Sequence, residues 1–241
     1  MFILIVLTAF FSAAPGEPAS QAYTGVSDAD MAGRVASLLG ESFSPDSLFV
    51  TVKESRAYAE MNGVVMSGIR IDAMRLNALL TNRDAALSGD VDALASLIGY
   101  SRGEIVLLEE DVNAYFATNE QSGFSNLRFD FSPSGFTARG VFSAEFIFTL
   151  RIRLAAKGVL GLGRDGVYLE NTAIYVENVK QPDALTQQII SRVNPLLEFS
   201  DIPFKVVFDT VTMDDTSAKM SGSPAKITGG STVEWKKTAK D

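Results

Sequence analysis

Residues Phe136–Leu154 read FTARGVFSAEFIFTLRIRL. Every even position is apolar or small: Phe136, Ala138, Gly140, Phe142, Ala144, Phe146, Phe148, Leu150, Ile152 and Leu154. The odd positions are polar or charged apart from Val141 and Ile147. Alternation of period two places one set on each face of a β-sheet. Ordinary strands run roughly 5–6 residues, and this pattern is about three times as long. It must therefore bend, bulge or pass through a turn. It also presents a broad, Phe-rich apolar face that something has to cover, either a helix of the same chain or lipid.

Working outward, Leu127, Phe129 and Phe131 form an alternating strand that leads into Ser132-Pro133-Ser134-Gly135, a turn signal. On the other side lie Gly163-Arg164-Asp165-Gly166 and a strand over 167–178. Gly161, Gly163 and Gly166 match G-x-G-x-x-G by spacing, but a dinucleotide site needs a helix after the motif. Here Val167-Tyr168-Leu169-Glu170 continues as strand, so the motif reads as a hairpin turn. Pro182-Asp183 opens an amphipathic helix predicted over 183–198, with Leu185, Ile189, Ile190, Val193, Leu196 and Leu197 as its stripe. Pro195 sits near its end and should kink or close it. Ile202-Pro203 leads into a last strand, Phe204–Met213.

Upstream, Ser27-Asp28-Ala29-Asp30 caps a helix over about 28–41, with Met31, Val35, Leu38 and Leu39 on its apolar stripe. Residues 47–54, 63–79 and 104–108 read as strands, with a polar, helical insert at 81–100. Glu109-Glu110-Asp111 opens a helix to about Thr118, and acids there complement the helix dipole. The tail from Ser221 is rich in Gly, Ser, Thr and Lys and is predicted to fray, with Trp235 incidental. Hairpin turns rather than crossovers join most strands, which gives an α+β fold with an antiparallel sheet. The helix 183–198 is available to cover its apolar face.

Composition excludes much chemistry. The chain has no Cys, which removes disulfides, thiolate nucleophiles and cysteine metal sites. It has no His, which removes the commonest general base and metal ligand. A net charge of −8 and a pI near 4.7 give no nucleic-acid footprint. Arg139, Arg151, Arg153 and Lys157 cluster on the polar side of the long strand pattern. They read either as a patch for anionic headgroups or as a solvated face paired with acids on neighbouring strands.

The N-terminus is apolar over Phe2–Phe11 and then small, which suits a signal peptide over residues 1–22 cleaved after Ala22. That reading predicts export to the periplasm or cell envelope, a single domain over 23–222, and a flexible tail over 223–241.

Two stretches carry a family resemblance. One runs from Glu104 to Phe116, EIVLLEEDVNAYF; the other from Val193 to Asp215, VNPLLEFSDIPFKVVFDTVTMDD. With the hairpin between them, over roughly residues 30–222, they resemble the LmeA-like family of exported bacterial proteins. The residues matched are Asn194, Pro195, Pro203 and Phe204, expected to end the helix and aim the last strand. The resemblance implies phospholipid binding and a tubular lipid-binding fold, a long, highly curved antiparallel sheet wrapped around a long amphipathic helix. It implies no catalytic residue and no cofactor. The 81–100 insert departs from the family's compact pattern.

Three functions are weighed on these residues. A lipid-binding protein would hold acyl chains in an apolar groove of Phe142, Phe146, Phe148, Leu150 and Ile152 against Ile189, Val193, Leu197 and Phe208. Arg139, Arg151 and Arg153 are its headgroup candidates. Its partners would be phospholipid or another acyl lipid, with peripheral membrane contact and no nucleic acid; pairing of two copies through sheet edges stays open. A structural or adaptor protein of the envelope would use the same residues as a filled core. Ala138, Gly140 and Ala144 leave room for a ligand in the first case and fit a close helix in the second. A carboxylate hydrolase is the third, but Asp214 and Asp215 are adjacent on a strand pattern and point to opposite faces. Asp214 reads better as a turn residue. The expected protein is a non-enzymatic lipid binder.

Overall fold

The computed structural model describes residues 26–90, 92–119, 123–145 and 149–237. The expected signal peptide and its cleavage point lie outside them. The fold is α+β, built from two antiparallel sheets and few helices. The first sheet contains β1 (Ser47–Lys53), β2 (Arg56–Met66), β3 (Ile69–Leu80), β4 (Ile98–Leu108), β11 (Val206–Val207), β12 (Thr210–Met213), β13 (Ser217–Ser221) and β14 (Ser231–Lys236). Its order is β12-β13-β4-β3-β2-β1-β14, with β11 lying parallel to β4. The second contains β5 (Phe124–Ser132), β6 (Gly135–Glu145), β7 (Thr149–Leu162), β8 (Gly166–Val176), β9 (Val179–Lys180) and β10 (Leu197–Glu198). Its order is β10-β8-β7-β6-β5, with β9 also on β8. Among the described residues neither sheet closes into a barrel.

The long alternating stretch is a hairpin. β6 and β7 pair with Ala138 opposite Ala156, Gly140 opposite Leu154, Phe142 opposite Ile152 and Glu145 opposite Thr149. Even residues thus face even residues, so the apolar parity runs through the connection unchanged. Residues 146–148, between the two strands, lie outside the described residues.

The longest helix is α1 (Asp28–Phe43), and it covers the first sheet, not the second. Ser27 Oγ accepts from Asp30 N–H at 3.1 Å, an N-cap as expected from sequence. Met31, Ala32, Val35, Leu38 and Leu39 are buried against β1 and β14. The stretch expected to fray contains β14, which pairs along β1 from Ser47 opposite Lys236 to Val52 opposite Ser231. Trp235 lies against Gly40 of α1, where a methyl group would meet its Cζ2 at 3.5 Å. To reach that edge the chain crosses the polar face of the sheet. Asn77 donates to the Ala225 carbonyl, and Lys226 Nζ stands 5.0 Å from the Phe49 ring centre.

Other boundaries also differ from expectation. The strand predicted over 63–79 is the β2–β3 hairpin, turned at Ser67 (φ 51) and Gly68 (φ 81). Two successive left-handed residues are the requirement of a tight hairpin turn. The 81–100 insert holds a 3-10 turn (Arg83–Leu87), helix α2 (Ala93–Leu97) and the start of β4. α3 (Glu109–Thr118) lies where the sequence puts it. The predicted last strand divides into β11 and β12, and Asp214 forms the turn into β13. Its carboxylate accepts from Thr216 N–H (2.8 Å) and Ser217 N–H (2.7 Å) and from both hydroxyls. Those donors hold the Asp214 carboxyl down to about 2. The charged form therefore supports the fold above about pH 4, the ordinary Asp range, and that support is lost as pH falls towards about 2. Asp214→Asn is expected to flatten the acid limb of the stability curve between these values, read by circular dichroism against pH.

The predicted helix 183–198 is corrected to α4, Asp183–Ile190, eight residues long. Pro195 has no N–H, and a helix through it would drive its ring into the Ser191 carbonyl. The chain instead makes a turn, and Asn194 turns its side chain to β8. Leu169 N–H donates to Asn194 Oδ1 (2.8 Å) and Asn194 Nδ2 donates to the Leu169 carbonyl (3.1 Å). Leu197 then joins β10 opposite Val167. The other edge of the second sheet is finished in the same way. Phe129 N–H donates to Asn113 Oδ1 (2.7 Å), Asn113 Nδ2 donates to the Phe129 carbonyl (2.9 Å), and Phe131 N–H donates to Glu109 (2.6 Å). Both asparagines act as one residue of an extra strand, which satisfies edge groups that burial would otherwise penalise. The two sheets meet at the β2–β3 turn, where Ser67 N–H donates to Asp201 (2.6 Å) and Ser67 Oγ accepts from Glu198 N–H of β10 (3.0 Å).

Candidate functional site: an apolar void under α4

The inner face of the second sheet is assembled by register and by two bulges. In β5 the pairing shifts by one residue between Ser125 and Arg128, around Asn126 (φ 53). Phe124 therefore shares a face with Leu127, Phe129 and Phe131 despite the change of parity, and all four are buried. In β8 the shift falls near Asn171 (φ 47), so that Leu169 and Ile174 both point inward. A bulge of this kind inserts one unpaired residue and re-aims those beyond it.

Between this face and α4 lies a void of about 20 Å3. Its walls are Phe124, Leu127, Phe129, Phe136, Ala138, Leu154, Ala156, Leu169 and Ile174 from the sheet, with Ile189, Ile190 and Val193 from α4 and the turn after it. None of these side chains is ionisable. The space exists because Ala138 and Ala156 face each other across β6 and β7. Gly140, also on that face, leaves none, since Leu127 occupies the space 3.1–3.2 Å from where its methyl would sit. A void of this size holds about one water molecule, and its apolar walls would leave such a water unbonded. Larger hollows of about 570 and 360 Å3 lie beside α3 and β5, but they are open and contain Glu109 and Arg128.

Of the residues expected to form the groove, Ile189 and Val193 line the void. Phe142 is next to it, its ring 5.2 Å from that of Phe124. Ile152 is half-buried opposite Phe142. Leu197 is buried in β10, and Phe208 stacks on Phe199 at 4.9 Å, over Gly103 of the first sheet. Phe146 and Phe148, and the side chain of Leu150, lie outside the described residues. Arg139, Arg151 and Arg153 are exposed. By parity they occupy the opposite face of the strands that carry Ala138 and Leu154. The cation on the void's own side is Arg192, whose guanidinium carbon stands 5.3 Å from the Phe142 ring centre. Sequence reading passed over it because it falls between Ile190 and Val193 inside an apolar stripe.

Among the described residues no His, Cys, Asp and Glu cluster could hold a metal ion, and no helix is long and apolar enough to cross a membrane. The model of the LmeA-like phospholipid-binding family matches residues 55–222. The chain belongs to that family, and the match takes in the whole second sheet, α4 and the Asn194-Pro195 turn. No curated protein and no solved structure matches it.

Proposed function

We propose that this protein is an exported envelope protein that takes one acyl chain of a phospholipid between the inner face of the second sheet and α4, for lipid transfer or envelope maintenance. The observation that carries the reading is the wholly apolar void walled by a short helix. Ligand pockets for small molecules occupy roughly 300–1,000 Å3, so admission requires α4 to move outward. Exposing Ile189, Ile190 and Val193 costs about 4.5–9 kcal/mol at roughly 1.5–3 kcal/mol per side chain. Burying about a dozen methylenes taken from water returns roughly 10 kcal/mol, enough to meet that cost. α4 is suited to such movement. Its contacts are chiefly with β8, its N-cap position is Pro182 with no side-chain cap, and the Thr186 hydroxyl is buried without a partner among the described residues. Arg192 then stands at the headgroup end.

The small volume favours a second reading, an adaptor whose core is simply filled. Lipid extraction and native mass spectrometry of the purified protein separate the two. Co-purifying phospholipid is expected, and Val193→Asp should reduce it at least tenfold while the circular dichroism spectrum is kept. A protein that carries no lipid and takes none from vesicles would leave the adaptor reading standing.

A further inference from the structure

The outer face of the second sheet is basic in a chain whose net charge is −8. We propose that this face docks on the surface of an anionic phospholipid bilayer. Register aligns its residues in rows. One row runs Arg128, Arg139, Ala155, Tyr175 and Lys180 across β5, β6, β7, β8 and β9. The next places Arg153 opposite Val141 and Arg151 opposite Ser143, and Lys157 lies opposite Thr137 on the other side. Arg128, Arg139, Arg151, Arg153 and Lys157 are all exposed. The carboxylates on or beside this face include Asp130, Glu109 and Glu170, whose carboxyl group lies over Gly161 of β7. Lys180 already pairs with Asp183 at 3.5 Å, but among the described residues none of the five cations makes a salt bridge. Arg128 and Arg139 stand directly opposite each other, an arrangement that destabilises a sheet. The first sheet is built differently: Arg75 is held between Glu60 (3.0 Å) and Glu104 (2.6 Å). A local cost that no salt bridge among the described residues offsets marks a surface shaped for something outside it. An array of exposed cations, with an amphipathic Tyr in its rows, matches a negative headgroup surface, which attracts each nearby Lys or Arg.

The inference goes beyond the groove reading and does not need α4 to open. It is tested with the full chain by sedimentation with phosphatidylcholine vesicles, with and without phosphatidylglycerol. Residues 1–22 contain no Lys or Arg and one acid, Glu17, so their side chains do not favour the anionic vesicles. The readout is the excess partition onto the anionic vesicles. Each cation is expected to contribute about fivefold, so Arg139→Glu with Arg153→Glu should cut the excess at least about 25-fold. High salt should do the same. Equal partition onto both vesicles, or an excess that survives the double reversal, overturns the proposal. Failure of the groove reading gives a different pattern: no carried lipid in the wild type, with the anionic excess intact. The double variant should keep its carried lipid, and Val193→Asp should keep the excess.

Discussion

Phe129→Ala is expected to destabilise the protein by about 3–5 kcal/mol and to lower its melting temperature by roughly 6–20 °C. Phe129 is 1% exposed, and its ring lies 5.4 Å from that of Phe116 and 5.6 Å from that of Phe136. It is also a wall of the void, so truncation merges the lost ring volume with space already present. Collapse is hindered because both backbone groups of Phe129 are held by Asn113. The substitution makes a second, opposite effect measurable. A larger cavity admits part of an acyl chain with less displacement of α4, so lipid carried per folded molecule should rise as stability falls. Calorimetry and mass spectrometry on the same sample read both. A loss of stability below about 1 kcal/mol would show that the site relaxes freely and that the void is not a rigid feature.

Asn194→Ala is expected to cost about 2–4 kcal/mol. It strips the Leu169 N–H and carbonyl of their partners, and each unsatisfied group costs roughly 1–3 kcal/mol, less where water reaches it. No other chain segment can take over, because β9 pairs with β8 at Tyr175 and Val176 and β10 at Gly166 and Val167, leaving Leu169 between them. The effect should be local as well as global. Amide exchange at Leu169 should accelerate and α4 should lose protection with it, since Asn194 fixes the segment that follows the helix. Asn194→Asp keeps the acceptor and loses the donor, so its loss should be intermediate. Equal protection of Leu169 in wild type and Asn194→Ala would show that the paired hydrogen bonds do not hold this edge.

The second sheet was legible wherever one strand kept one parity. Phe136, Ala138 and Phe142 on β6 and Leu154 on β7 were read on the face where they lie. What escaped depended on partners distant in sequence. The hairpin between β6 and β7 preserves parity and so leaves no mark in the alternation. The end of α4 is set by Asn194 finding Leu169, 25 positions away. β14 hides in a Gly- and Ser-rich segment, where only Val233 and Trp235 signal a face, and β1 supplies the rest. The void itself needs Ala138 beside Ala156, a cross-strand fact. The basic patch was visible as a periodicity, but its relation to the void was not: register puts the arginines on the opposite face of the sheet. Arg192, over the Phe142 ring, had no pattern to betray it.

The strand contributed by the C-terminal segment also bears on where this chain can be shortened. Trimming at Ser221 would take away a partner that runs the length of β1 from Ser47 to Val52. It would bare a ladder of backbone donors and acceptors, together with the side of α1 that rests on Trp235. An open edge of that kind invites pairing with another molecule. The sheet ends on β14 in the intact protein, and a protease that nicked the crossing segment would hand that edge to β1, longer and more buried in its side chains.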